Sequence, residues 1–127
     1  MLSQCSLIGF IPTGDAARAR QFYVETLGLR FVSDDQFATV VQAGGSKIRI
    51  ANVGAFTPMP FTILGWEVAE IATEVATLTG AGVVFSRYPF LEQDEAGIWT
   101  APSGDRVAWF QDPDGNTLSL SQHVGAA

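Results

Sequence analysis

The amino-acid sequence runs through the same series of elements twice. In the first copy an apolar run at Ile8 leads to Asp15, an amphipathic segment and a stop at Gly28. In the second copy an apolar run at Ile63 leads to Glu70, another amphipathic segment and another glycine stop. Three extended runs complete each copy, and in the second copy a short run at 83–86 precedes them. This repeated strand–helix–three-strand unit restricts the fold more than any other feature, because each copy must bury the same kind of face.

Length decides how the two copies are organised. The chain has 127 residues, which suits one ordinary domain and is too short for two. We therefore predict a single domain at residues 1–127 in which the copies share a core. Module one spans about 4–53 and module two about 63–122, and residues 54–62, which contain glycine and proline and show little periodicity, form the linker.

Breakers and caps define the predicted elements of module one. A strand at 3–11 is predicted to stop at Pro12, which lacks the amide that a sheet needs. Asp15 is a good N-cap for a helix, and Gly28 supplies the left-handed residue that ends it. The predicted buried helix face is Ala19, Phe22, Tyr23 and Leu27. Strands are predicted at 29–33, 36–43 and 47–52.

Module two has softer boundaries. Its helix is predicted to begin at about Ile71, although Glu70 is a poorer cap than Asp15. Strands are predicted at 63–68, 83–86, 98–101, 106–111 and 117–122, and the tail Val124–Ala127 is predicted to fray. The connection 87–97 is long for a compact domain, and such a segment is more often a functional flap than an ordinary turn.

Charge and composition exclude several classes of partner. The formal net charge is −6, with 13 acidic residues against 7 Lys and Arg, so phosphate backbones and anionic lipids would be repelled. There is no run of 18 apolar residues, which argues against a membrane span and favours a cytoplasmic protein. Cys5 is the only cysteine and lies in an apolar run, so we expect a small buried hydrophobe.

Two motifs resemble the vicinal oxygen chelate superfamily, which includes glyoxalase I, extradiol dioxygenases and bleomycin resistance proteins. They are the Phe22-Tyr23 helix that closes on Leu27-Gly28, and Asp112-Pro113-Asp114-Gly115-Asn116 before the final strand. The resemblance extends from about Leu7 to Gln122. It implies an α+β fold in which two βαβββ modules form a cup-shaped mixed sheet with the helices on the convex face.

The resemblance also locates four positions at which metal-dependent relatives place His, Gln or Glu. Here those positions hold Ile8, Arg49, Ile63 and Ser119. None of these side chains is a good ligand for a divalent cation, and Arg49 would repel one. We therefore predict no metal and no cofactor.

Strand alternation extends this set to a candidate ligand-binding face. If the four positions face inward, then Phe10, Glu67 and Ser121 share that face. Phe37 and Trp99 are candidate aromatic walls, although either could be a core residue. The opposite, helix-facing layer would be Leu7, Ile11, Ile48, Ile50, Leu64, Trp66, Val68, Leu118 and Leu120.

Arg49 and Glu67 leave two interpretations open. They could form a static ion pair, because an inward-facing guanidinium must find an anion. Alternatively, Arg49 could bind a carboxylate or phosphate of a ligand, with Glu67 as a second anchor or, as a weak catalytic candidate, a general base.

Other polar residues fit structural roles better. His123, the only histidine, is expected to be a surface residue, and Asp112 and Asp114 are expected to form a β-turn. The acidic cluster of Glu92, Asp94 and Glu95 is typical of a solvated loop, although it could guard the mouth of the cup.

Three functions remain open from the sequence. The leading hypothesis is a metal-independent protein that binds a small organic molecule, one that could be anionic. The alternative is an enzyme of the same superfamily, namely a lyase, isomerase or dioxygenase. The third is a subunit whose cup serves only as an interaction surface. A homodimer is expected, because exposed edge strands need covering.

Overall fold

The computed structural model describes residues 1–125, which form two compact units. Unit 1 is Met1–Pro58, and unit 2 begins at Met59. After a 3-10 turn at Leu2–Gln4, unit 1 contains β1 (Ile8–Thr13), α1 (Ala16–Arg20), β2 (Arg30–Asp34), β3 (Ala38–Ala43) and β4 (Ser46–Asn52). Unit 2 contains β5 (Thr62–Glu67), α2 (Ile71–Gly80), β6 (Trp99–Thr100), β7 (Arg106–Gln111) and β8 (Thr117–Gln122).

Each unit is a four-stranded mixed sheet with the same topology. The strand order is β1-β4-β3-β2 in unit 1 and β5-β8-β7-β6 in unit 2. In both units the first strand pairs parallel with the last, and the other pairs are antiparallel. The predicted α+β repeat of two βαβββ modules is therefore confirmed.

One face of each sheet is buried against its helix. Unit 1 buries Ile11, Ala19, Tyr23, Val41, Ile48 and Ile50, and α1 packs on β3 and β4. Unit 2 buries Ile71, Val75, Ala108, Phe110, Leu118 and Leu120, and α2 packs on β7 and β8. The strand residues among these alternate with less buried ones, so each sheet has a second, open face that does not pack against its helix.

The two helices begin by different devices. Asp15 is the predicted N-cap of α1, and its Oδ1 accepts from the Arg18 amide at 3.1 Å. Glu70 makes no such bond, and the first amide of α2 at Ile71 instead donates to Oε1 of Gln122 at 2.8 Å. Only the first half of the module-one helix is α-helical, because Gln21–Thr26 forms a π-helix.

The start of the chain corrects four predictions. The strand begins at Ile8, because residues before the first ladder pair, Ile8 with Lys47, have no strand partner. As a result, Leu7 and Cys5 are exposed rather than buried. Pro12 does not end the strand, which continues to Thr13, since β1 is an edge strand and tolerates a missing amide.

Three further boundaries differ from the predictions. The segment 83–86 buries Val83 and Phe85 in alternation, but it forms no strand among the described residues, and its Ser86 amide donates to the Trp109 carbonyl. The β2–β3 turn falls later than predicted, because Asp35 accepts from the amides of Phe37 and Ala38. The strand predicted at 98–101 is shortened to Trp99–Thr100.

At the other end of the chain, the Val124 amide donates to Asp105 at 2.9 Å, so the predicted fraying does not begin at Val124. Ala126 and Ala127 lie outside the described residues. No helix in the described part of the chain is long and apolar enough to cross a membrane.

Candidate functional site

The open face of the unit 1 sheet carries apolar side chains and two cations, the half-buried Arg49 and the exposed Lys47, which pairs with Ile8. Ile8 and Phe10 are 55% and 66% exposed, while their neighbour Ile11 is buried on the helix side. Arg49 on β4 lies in register between Phe10 on β1 and Val40 on β3. A guanidinium is thus positioned in the middle of a sheet face, with an apolar side chain on each side.

Arg49 is half-buried, and within the described residues of unit 1 its guanidinium has no hydrogen bond or ion pair. The positive charge of Arg49 acts on the Asp35 carboxyl. The backbone amides of Phe37 and Ala38, with a smaller contribution from Arg49, lower the pKa of the Asp35 carboxyl. Arg49 therefore lies near the Asp35 carboxylate, whose hydrogen bonds are already made within the β2–β3 turn. The N–H donors of the Arg49 guanidinium remain available.

The open face of unit 2 carries hydroxyl and aromatic side chains. One row of strand partners crosses all four strands through Trp99, Val107, Ser121 and Glu67. The adjacent row contains Trp109, Ser119 and Gly65. A Cβ at Gly65 would lie 2.9 Å from Ser119 Oγ, so glycine is what allows β5 to approach β8 this closely.

Four aromatic rings cluster on this face. Trp109 lies 6.1 Å from Trp99 and 5.5 Å from Tyr88, and Tyr88 lies 5.6 Å from Phe90, measured between ring centroids. Phe90 is exposed and the other three rings are half-buried, which leaves aromatic surface open to a ligand.

The sequence pointed to Trp99 but missed Trp109 and Tyr88. Counting back from Ser119 through the Asp112–Asn116 turn would have placed Trp109 opposite Ser119. No comparable signal places Tyr88, which reaches the sheet from an irregular segment.

The connection 87–97 is held in place by hydrogen bonds to its own backbone. The Gln93 amide group donates to the carbonyls of Ser86 and Gly97 and accepts from the Tyr88 amide. The Arg87 guanidinium donates to the carbonyls of Asp94 and Glu95. These bonds position Tyr88 against Trp109. The acids predicted to be solvated, Glu92, Asp94 and Glu95, are exposed.

His123 is exposed, as predicted, but it is not isolated. Its Nδ1 lies 3.0 Å from Asp105 Oδ2, and its Nε2 lies 3.0 Å from Ser121 Oγ. The Val124 amide and the His123 side chain both lower the pKa of the Asp105 carboxyl. Sequence reasoning missed this contact, although the hairpin register that pairs Arg106 with Gln122 places Asp105 opposite His123.

The turn predicted for Asp112 is confirmed. Oδ1 of Asp112 accepts from the amides of Asp114 and Asn116 at 2.9 Å, and Oδ2 accepts from the Asn116 side chain at 2.8 Å. Asp112 is buried, and its carboxylate organises the turn that leads into β8.

The candidate ligand-binding residues divide between the units. Unit 1 contains Ile8, Phe10, Phe37 and Arg49, and unit 2 contains Ile63, Glu67, Trp99, Ser119 and Ser121. Phe37 is 63% exposed in the β2–β3 turn, so the interpretation as a core residue is wrong. Ile63 lies at an irregularity of the β5–β8 register. Pairing of Arg49 with Glu67 stays a prediction, because the two lie in different units.

The side chains present do not fit the metal centre that the resemblance implies. Ile8, Arg49, Ile63 and Ser119 offer no imidazole or carboxylate at the four positions. Among residues 1–125, no group of three or more His, Cys, Asp and Glu side chains is placed to hold a metal ion. We derive no metal-dependent step from these residues.

Comparison with known proteins agrees with the fold. The family model of the Glyoxalase/Bleomycin resistance protein/Dioxygenase superfamily matches residues 4–120. The chain therefore belongs to that superfamily. No curated protein matches the sequence.

Solved structures of the same fold come from several bacteria. A lactoylglutathione lyase from Agrobacterium tumefaciens is 14% identical with a TM-score of 0.74, over 94% of this chain and 96% of that one. A superfamily member from Sphaerobacter thermophilus is 23% identical with a TM-score of 0.71, over 93% and 96%. TnmS3, an antibiotic binding protein from a Streptomyces species, is 24% identical with a TM-score of 0.62, over 92% and 93%. Such identities establish a shared fold and no shared activity.

Proposed function

We propose that this protein binds a small organic molecule that carries an anionic group, without the metal centre of its metal-dependent relatives. The observation that carries the proposal is Arg49, a half-buried guanidinium with no partner among the described residues of its unit. It lies between Phe10 and Val40, at a position where the resemblance implies a metal ligand. TnmS3, an antibiotic binding protein, supports binding as one use of the fold.

The surroundings of Arg49 favour an anion attached to an apolar body. Apolar neighbours reduce access of water, so a hydrogen bond from the guanidinium to a carboxylate or phosphate contributes about 1.5–3 kcal/mol. Ile8 and Phe10 provide exposed apolar surface next to it. Independently of Arg49, the rings of Trp99, Trp109 and Tyr88 give unit 2 an aromatic surface of its own.

Thermal shift measurements test the anion preference. Aromatic acids, short acyl phosphates and their neutral isosteres would be compared on the parent and on Arg49→Met, which keeps most of the length and removes the charge. A ligand at 100 times its dissociation constant stabilises the fold by about 2.7 kcal/mol, which is a visible shift. Arg30→Met, which removes an exposed arginine from β2, is the matched control.

We expect anions to stabilise the parent and Arg30→Met, and to lose their advantage over neutral isosteres in Arg49→Met. If the preference for anions survives in Arg49→Met, Arg49 is not the anchor. If neutral isosteres shift the parent equally, the ligand class is wrong.

Metal independence needs a separate experiment. Elemental analysis of protein purified without chelator should find no stoichiometric transition metal. One equivalent of zinc, nickel, iron or manganese per chain, removed by a chelator together with stability, would contradict the proposal.

The homodimer and the cytoplasmic location are also proposals. Light scattering coupled to gel filtration should give the mass of a dimer, and a monomer at micromolar concentration would exclude it. Fractionation of cells that produce the protein should recover it with cytoplasmic markers, and recovery elsewhere would exclude that location.

A further inference from the structure

Asp105, His123 and Ser121 form a continuous hydrogen-bonded chain on unit 2. Asp105 Oδ2 lies 3.0 Å from His123 Nδ1, and His123 Nε2 lies 3.0 Å from Ser121 Oγ. The other carboxylate oxygen of Asp105 accepts from the Val124 amide at 2.9 Å. Both oxygens of Asp105 are thus engaged, and the imidazole is held between a carboxylate and a hydroxyl.

The partners of the imidazole determine which nitrogen carries the proton. An ionised carboxylate can only accept, so the bond at Nδ1 requires Nδ1–H to donate to Asp105. A neutral imidazole then has a lone pair at Nε2, and the hydroxyl of Ser121 must donate to it. This is the arrangement by which a histidine base activates a serine hydroxyl.

We propose that Ser121 is a nucleophile that accepts acyl groups, with His123 as its general base and Asp105 as the residue that positions the base. This activity goes beyond the proposed binding function and does not depend on Arg49. It uses a cluster of side chains that no comparison assigns to a function.

The neighbours of Ser121 indicate the class of substrate. Trp99 and Ser121 lie in one cross-strand row, two strands apart, which corresponds to about 10 Å at the usual strand spacing. An aromatic group near Trp99 and Trp109 would therefore allow an attached acyl group to reach Ser121. Glu67 is the strand partner of Ser121 on the other side, and its carboxylate disfavours anionic substrates. The expected substrates are uncharged aryl esters.

The chemical step balances within these residues and the substrate. Ser121 Oγ forms a bond to the carbonyl carbon of the ester, and its proton passes to His123 Nε2. The bond from that carbon to the aryl oxygen then breaks, and the leaving group takes the proton from His123. Water next attacks the acyl carbon and gives a proton to His123. The bond from that carbon to Ser121 Oγ then breaks, Oγ takes the proton from His123, and the carboxylic acid is released.

Hydrolysis of p-nitrophenyl acetate provides the first test. His123→Gln removes the general base, which typically slows such a step by about 10²–10⁴-fold. Ser121→Ala removes the nucleophile, so both variants should fall to the rate of buffer. Asp105→Glu, which retains the carboxylate, should keep more activity than Asp105→Asn. Ser46→Ala, an exposed serine in unit 1, is the control and should equal the parent.

Mass spectrometry of the acylated protein should place the acetyl group on the peptide that contains Ser121. Hydrolysis by the parent at the rate of Ser121→Ala, or acetylation elsewhere while Ser121 stays unmodified, would overturn the proposal.

A second test does not require ester turnover. Cys5 is an exposed thiol, and a Ser121→Cys variant in a Cys5→Ser background places one thiol beside His123 instead. If His123 acts as a base, this thiol should react with iodoacetamide, which is uncharged, at least about tenfold faster than Cys5 in the parent. Adding His123→Gln should remove the advantage. Equal rates in Ser121→Cys and at Cys5, with the variant folded by circular dichroism, would refute activation by His123.

Discussion

Unit 1 places Arg49 between Phe10 and Val40 on its open face, whereas unit 2 places Ser119 and Ser121 on its open face, near Trp99 and Trp109. The strand order and the parallel pairing of first and last strands are the same in both. The opposite faces are also alike, since each is an apolar layer under a helix. Packing against a helix restricts side chains to apolar ones, and an open face has no such restriction. Differences in function should therefore be sought on the open faces.

The sharpest test of this contrast uses one residue type on the two kinds of face. Phe110 is 0% exposed on the buried face of unit 2, and Phe10 is 66% exposed on the open face of unit 1. We expect Phe110→Ala to lower the free energy of unfolding by about 3–5 kcal/mol, because it leaves a cavity beside Trp66 and Phe85. Phe10→Ala should cost less than about 0.5 kcal/mol. Urea unfolding measures both, and similar losses would contradict the assignment of faces.

A pair of strand glycines gives the next largest effect. A Cβ at Gly65 would lie 2.9 Å from Ser119 Oγ and 3.3 Å from the Ser119 carbonyl oxygen. Gly65→Ala should therefore destabilise the protein by about 1–3 kcal/mol. A Cβ at Gly9 meets only Ile48 Cγ1, at an ordinary 3.7 Å, so Gly9→Ala should be neutral or stabilise by up to about 1 kcal/mol.

Ser119→Ala serves as the control for the Gly65 effect, because it removes the closer of the two atoms. If the cost of Gly65→Ala does not fall in that background, the close approach of Ser119 is not its cause. Thermal unfolding of Gly65→Ala, of Ser119→Ala and of the two combined, with Gly9→Ala as the comparison, decides this.

The residues at the starts of the two helices should differ less in what they contribute to the free energy of unfolding. Asp15→Ala removes the side-chain bond to the Arg18 amide and should cost about 1 kcal/mol. Glu70→Ala should cost less than about 0.5 kcal/mol, because Glu70 makes no capping bond. Gln122→Ala should cost more than Glu70→Ala, since it leaves the Ile71 amide without its acceptor. Urea unfolding midpoints rank the three variants, and a larger loss for Glu70→Ala would show that α2 is capped from its own sequence.

Sequence periodicity was sufficient for the repeat and for the buried faces, because apolar residues two or four apart report which side of an element is covered. It gave the ends of β7 and β8 as observed. It failed at 83–86, where the alternation of Val83 and Phe85 is real but a strand also requires a partner in register. Burial patterns carry no information about that partner.

The candidate site was predicted less completely than the fold. Arg49 and Ser119 followed from strand alternation and the resemblance, so their faces could be expected. The contact of His123 with Asp105 spans a hairpin, and the approach of Tyr88 to Trp109 depends on bonds made by Gln93. The hairpin register places Asp105 opposite His123, whereas the Tyr88 contact is set by tertiary structure and no local pattern marks it in the sequence.

The smallest expected difference between the units concerns how two carboxylates, Asp35 and Asp105, make stability depend on pH. Asp35 accepts from two amides of its own turn, and Asp105 accepts from Val124 and His123 across a hairpin. These bonds lower the pKa of both carboxyls in the folded protein from the ordinary 3.8. A carboxyl with a lowered folded pKa adds stability above its unfolded value, and this stability is lost as the pH falls through the folded value.

The parent should therefore lose stability as the pH falls below about 4, and Asp35→Asn and Asp105→Asn should each lose less over that range. The effect should be small, because both carboxylates are near the surface and screened by solvent.

Hydrogen exchange can separate the two units. Acidification should release the amides of Phe37 and Ala38 in unit 1, and that of Val124 in unit 2, which is distant in sequence from its acceptor. If Asp105→Asn leaves the acid response of the Val124 amide unchanged, the Asp105 carboxylate is not what holds the C-terminal segment.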